Sequence, residues 1–156
     1  MSDLRAQFSA DLKAAMKAKD TCRVATLRLI LATLKDRDIA VRADGNEDGI
    51  GADQILDMLA KMVRQRRDSI DIYRQGGRAD LAEREAEEIA VIEGYMPKPL
   101  DEAETARAIA EAIAAVDAHS LKDVGRVMAA LKERYAGRMD FARAGALAKD
   151  RLAGKA

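Results

Sequence analysis

Apolar residues recur at three- and four-residue intervals along almost the whole chain, the period of helices that bury one face. Leu4, Phe8, Leu12 and Met16, at every fourth position, predict a first amphipathic helix. Asp20 and Thr21 can cap a second, whose Val24, Leu27, Ile30, Leu31 and Leu34 keep helical spacing until the pattern fades near Val41. The run Asp44 to Gly51 holds three glycines with turn-favouring Asp and Asn. It is expected to be a loop and the flexible point of this region. A third, long helix is predicted from about Ala52 to Gln75, with Ile55, Leu59, Met62, Ile70 and Tyr73 on one stripe. Gly76-Gly77 ends it. A fourth runs from about Asp80 to near Tyr95, with Leu81, Ile89 and Ile92 aligned. The two-glycine turn makes helices three and four an antiparallel hairpin.

Pro97-Lys98-Pro99 cannot continue a helix and marks a boundary between lobes, 1–97 and 98–156. Beyond it, Asp101 and Glu104 have the spacing of a capping box, opening a helix that carries Ile109, Ile113 and Val116. Ser120 and Asp123 start the next, with Val124, Val127, Met128 and Leu131 inward. Gly137 ends it, and Asp140 starts a last helix holding Leu147 and Leu152. The fold class is therefore all-α: a lobe of long helices containing the hairpin, then a small three-helix bundle. Composition agrees. Half of the residues are apolar but only 3% are aromatic, and there is no Trp, so aliphatic side chains fill the core.

Charge narrows the function classes. The 27 basic and 27 acidic residues cancel, unlike a strong non-specific nucleic-acid binder. The distribution is uneven: Leu121–Ala156 holds nine Lys/Arg against four acids, whereas Asp101–Ser120 holds one Arg against five acids. An anionic partner at the C-terminal end fits this dipole. Cys22 stands alone, which removes intramolecular disulfides and suits a reducing, cytoplasmic setting. The N-terminus has no continuous apolar stretch of the secretory kind, and no segment approaches the roughly 20 apolar residues of a membrane span.

Candidate chemistry is sparse. The single His119 has no Cys, Ser or carboxylate spacing around it for a metal site or triad. No Gly-rich phosphate cradle is present, and Ser2, Ser9, Ser69 and Ser120 sit in no amidase frame. No catalytic centre, cofactor or metal site is expected. Charges on apolar stripes are more telling. Arg66 falls in line with Ile55, Leu59, Met62 and Ile70; Glu85 falls in line with Leu81, Ile89 and Ile92, with Glu88 beside it. Arg66 and Glu85 lie at similar distances from the Gly76-Gly77 turn. A charge on a buried stripe needs a partner, so a partly buried Arg66–Glu85 or Arg66–Glu88 pair is expected to fix the hairpin register. Glu83, Glu87 and Glu93 read as a solvated face, and Arg64 and Arg67 point to other faces than Arg66. In the tail, Lys132, Arg134, Arg138 and Arg143 gather around the predicted turn between the last two helices, where N-termini near Gly125 and Phe141 can add N–H donors to an anion site.

Three segments carry a family resemblance: RLILATLK (Arg28–Lys35), KMVRQRRDSIDIYRQGGRADLAEREAEEIAVIEGYMP (Lys61–Pro97) and DVGRVMAALKERYAGRMD (Asp123–Asp140). In order and spacing they resemble the GatB/YqeY family, and within it the stand-alone YqeY-like proteins related to the tail of the B subunit of the tRNA-dependent amidotransferase. Val124, Arg126 and Phe141 depart from the usual Met, Lys and Gly of the last motif. The resemblance implies an auxiliary tRNA-binding or amidotransferase-associated helical protein. The family's label, carbon–nitrogen ligase activity with glutamine as amido-N donor, refers to chemistry that lies in other domains.

Two readings follow. In the first the chain binds tRNA, with Arg126, Lys132, Arg134, Arg138, Arg143 and Lys149 as phosphate contacts. With only Tyr135 and Phe141 as aromatics in that lobe, it would recognise backbone and shape rather than stacked bases. In the second it is a protein-interaction adaptor with no RNA role, docking a partner through an adaptable surface of Met58, Met62 and Met96. The family resemblance separately implies a protein partner linked to aminoacyl-tRNA amidation.

Overall fold

The computed structural model describes residues 3–154; Lys155, counted above in the basic tail, lies outside them. Among the described residues are seven α-helices and no strand: α1 (Leu4–Ala18), α2 (Thr21–Ala43), α3 (Ala52–Gln75), α4 (Ala79–Glu93), α5 (Glu102–Ala115), α6 (Val124–Tyr135), entered through a 3-10 turn at Leu121–Asp123, and α7 (Phe141–Leu152). The chain divides into two compact units, Met1–Met96 and Pro97–Ala156.

Local chemistry explains where the helices start. Asp3, Asp20, Asp101 and Asp140 each stand in extended or near-extended backbone, and their carboxylates accept N–H donors from the first turns of α1, α2, α5 and α7. Asp101 and Glu104 complete a reciprocal box, Asp101 accepting from Glu104 N–H at 2.7 Å and Asp101 N–H donating to the Glu104 carboxylate at 3.3 Å. Between α3 and α4, Gly77 adopts φ +73°, a left-handed conformation that costs glycine nothing.

In the N-terminal unit, α1 pairs with α2 and α3 with α4, and α2 also packs on α3 and α4. Phe8, Leu27, Ile30, Met58, Leu59 and Ile92 are fully enclosed between them. Tyr95, just past α4, meets the Phe8 ring edge-on at 4.9 Å. In the C-terminal unit α5, α6 and α7 pack on each other. Ile109, Val127 and Leu131 sit at the centre, and the remaining buried positions are all alanines, among them Ala108, Ala112, Ala144 and Ala148.

The structure corrects three expectations. Met16 is half exposed, and Ala15 is buried in its place. A strict four-residue spacing drifts about 40° per step around a helix, so by the fourth residue the stripe has left the core. On α7, where Leu147 falls as expected, Ala144 and Ala148 face inward and Leu147 is exposed. Met58 and Met62 are buried, not an adaptable surface, because the inward face of α3 is wide enough to take Met58, Leu59, Met62 and Val63 together. Finally, the 44–51 loop is tied down at its end. Ile50 is buried, its N–H donates to Asp38 Oδ1 at 2.9 Å, and its carbonyl accepts from Arg5 at 2.8 Å.

Candidate functional site

The charged stripe of α3 meets α4 near the expected level of the hairpin. Arg66, 8% exposed, donates from Nε to Glu88 Oε2 at 3.0 Å and from Nη1 to the carbonyl of Met62 at 3.2 Å. Glu85 stands 4.0 Å from the same Nε. Burial, and next the Glu88 charge, push the Glu85 carboxyl up, against the pull of Arg66. Glu88 is thus the direct partner and Glu85 the outer one. Arg67, on another face, pairs with Glu93 in solvent.

A second buried charge cluster in this unit joins α1, α2 and the loop before α3. Asp38, 7% exposed, accepts both Arg5 Nη1 at 2.7 Å and Arg5 Nη2 at 2.8 Å as well as the Ile50 N–H. The Arg5 guanidinium foremost, and the Ile50 amide, hold its carboxyl down at about 2. Gly49, at φ +82°, lies so close that a Cβ there would collide with the Asp38 carboxylate. The sequence signal for this clamp was present: Leu27, Ile30, Leu34 and Asp38 share one helical stripe, as Arg66 shares that of α3. A third cluster joins Tyr95, whose hydroxyl donates to Asp11 Oδ2 in a short bond, to Arg23, which donates to the same hydroxyl at 3.4 Å. Burial, then the Asp11 bond, push the Tyr95 phenol up to about 12. All three clusters bond groups from separate helices or loops, and their contacts serve packing.

Elsewhere little could act on a substrate. Burial raises the Cys22 thiol, so its nucleophilic thiolate is disfavoured. His119 lies in solvent beside Asp117 at 2.9 Å. Among the described residues no group of three or more His, Cys, Asp or Glu could hold a metal ion.

The six basic residues of the tail are not equally available. Arg126 donates to the carbonyl of Val116 at 2.7 Å and pairs with Asp123 at 2.8 Å. Asp123 also accepts the N–H groups of His119 and Ser120, and these, with Arg126, hold its carboxyl at about 2. Arg143 pairs with Glu102 at 2.6 Å. Arg138 donates to the carbonyl of Lys98 at 3.2 Å and, with Arg134, stands 6.0 Å from the Tyr135 ring centre. Lys132 and Lys149 are exposed and flank one groove between α6 and α7. The α7 N-terminus is a poorer anion site than its position suggested, because the Asp140 carboxylate already occupies the N–H groups of Ala142 and Arg143. The structure therefore gathers Lys132 and Lys149 and commits Arg126 and Arg143 to neighbouring acids.

Among the described residues no helix is long and apolar enough to cross a membrane. The proteins named "Altered inheritance of mitochondria protein 41, mitochondrial" from Eremothecium gossypii and Kluyveromyces lactis are 38% identical over 112 residues and 39% identical over 90. These stretches cover 71% and 58% of this chain, and 59% and 46% of the relatives. The counterpart from Lachancea thermotolerans is 36% identical over 94 residues, 60% of this chain and 48% of its own. The chain thus spans about half the length of the curated relatives it matches. The family described as Yqey-like protein matches residues 5–152, nearly the whole chain and both units, and the chain belongs to that family.

Proposed function

We propose that this chain is an auxiliary helical module that binds structured RNA of the tRNA type through its C-terminal unit, in support of an amidotransferase or a related RNA-linked process. The observation that carries this reading is the state of the basic residues. Among the described residues, Lys132, Arg134 and Lys149 have no acidic partner within 4.0 Å, whereas Arg126 and Arg143 do. Uncommitted, exposed cations on adjacent helices suit phosphate oxygens, and the near absence of aromatics suits backbone and shape recognition. Arg138 has a backbone partner in Lys98 and adds charge beside them. Any carbon–nitrogen ligation belongs to an associated enzyme. The lone cysteine fits a reducing compartment, and the relatives' names point to a mitochondrial setting.

The test is fluorescence anisotropy of labelled bulk tRNA titrated with the protein at low and moderate salt. The expected result is saturable binding that weakens steeply with salt and is lost in Lys132→Glu/Arg134→Glu. Flat anisotropy at low salt would remove the RNA reading.

A further inference from the structure

The groove between α6 and α7 has features that phosphate binding does not call for. Its volume is about 520 Å³, and its lining contains Val124, Met128 and Phe141 but no carboxylate. All three are only partly buried, although they pack against the core of the unit. Gly125 and Gly145 line it too. Gly145 lies inside α7, where glycine is the least favourable residue apart from proline, and Gly125 lies in the first turn of α6. Nothing in the fold asks for it. Neither has a positive φ, a Cβ at Gly125 would meet nothing within 4 Å, and one at Gly145 would touch only the Met128 thioether, at ordinary contact distance. Larger residues would fit the fold and would fill the groove. The glycines keep its floor open.

Shape and charge then point to an occupant. Val124, Met128 and Lys132 recur at four-residue intervals along α6, a length of about 12 Å, or just over two helical turns. On α7, Phe141, Gly145 and Lys149 repeat the same interval. Lys132 stands three residues before the end of α6, at the α6–α7 turn, and Lys149 stands two turns along α7 from it. Each rim thus ends in one free cation over an apolar floor, at a spacing that matches acidic side chains two turns apart on a helix. RNA would supply the charge but no apolar ridge for the floor.

We propose that the α6–α7 groove is a docking slot for an amphipathic helix of a partner protein, one with an apolar stripe and acidic residues at both ends. This goes beyond the RNA reading and does not depend on it. The apolar ridge lies over Met128 and Phe141, the bare backbone at Gly125 and Gly145 allows close approach, and Lys132 and Lys149 pair with the terminal carboxylates.

The probe is a fluorescein-labelled synthetic peptide of about four helical turns, with two glutamates about two turns apart and leucines at i, i+3 and i+4 between them. A counterpart with lysines in place of the glutamates serves as the control. The full chain should bind the acidic peptide saturably and the basic one at least about tenfold more weakly. Gly125→Leu should weaken the acidic peptide at least about tenfold while its thermal melt shows an intact fold. Gly145→Ala provides a milder second variant. Failure of the acidic peptide to bind, equal binding of both peptides, or unchanged peptide binding in Gly125→Leu would overturn the proposal. Loss of tRNA binding in Gly125→Leu would assign the groove to RNA instead. A wild-type dimer in sedimentation that Gly125→Leu dissociates would assign it to a second copy of this chain.

Discussion

The two units solve the same problem, enclosing a core with few aromatics, in different ways. The N-terminal unit buries long side chains such as Met58, Leu59 and Ile92, and it also buries charge: Arg66 with Glu88, and Asp38 with Arg5. The C-terminal unit buries mainly alanine around Ile109, Val127 and Leu131, and its ion pairs lie in solvent. An alanine core lets helices approach closely but removes little apolar area from water, so the smaller unit rests on few side chains. Interior ion pairs join helices of the larger unit, while the smaller one keeps its ion pairs, and a groove, on the outside.

The strongest way to break this comparison is Leu131→Ala, which should cost about 3 kcal/mol and unfold the C-terminal unit in a separate, earlier thermal transition. A single unchanged transition would show that the alanine core is not the weaker one. Next comes Arg66→Ala, which strands Glu88 and Glu85. Both are partly exposed, so the cost is about 2–3 kcal/mol in urea unfolding, while Arg66→Met should be near neutral if the pair specifies register more than stability. Acid sharpens the same contrast. Asp38 is held at about 2, below its ordinary value of 3.8, so its contribution is fully present above about pH 4 and is lost as the pH falls towards 2. Asp38→Asn should flatten that limb of the stability profile of the N-terminal unit. The smallest effect is the most pointed: Gly125→Ala should leave stability unchanged or raise it by up to about 1 kcal/mol, because the unfolded chain loses conformational freedom and the Cβ enters open space.

Much of this was legible beforehand, for local reasons. The span of α3 follows from its periodicity and the glycines after it, and Arg66 is visible as a charge on an apolar stripe. The Asp38 clamp was legible only as an anomaly, because its partners Arg5 and Ile50 lie 33 and 12 residues away and no local rule names them. The loop it pins was read as flexible from its glycines, which report what the backbone can do and not what holds it. Met58 was misplaced because periodicity gives the direction of a buried face but not its width.

The candidate interface divides along the same line. Its composition, nine basic residues against four acidic, is a property of the sequence, and so are the helices that carry them. Which of those residues remain free is not. Arg143 meets Glu102 across 41 residues and Arg126 meets the Val116 carbonyl across 10, encounters that exist only once α5, α6 and α7 have packed. Helices, caps and total charge are set by interactions within about one turn, so the sequence alone determined them. The committed cations and the open groove arise where separate helices meet, and only the tertiary structure decided those.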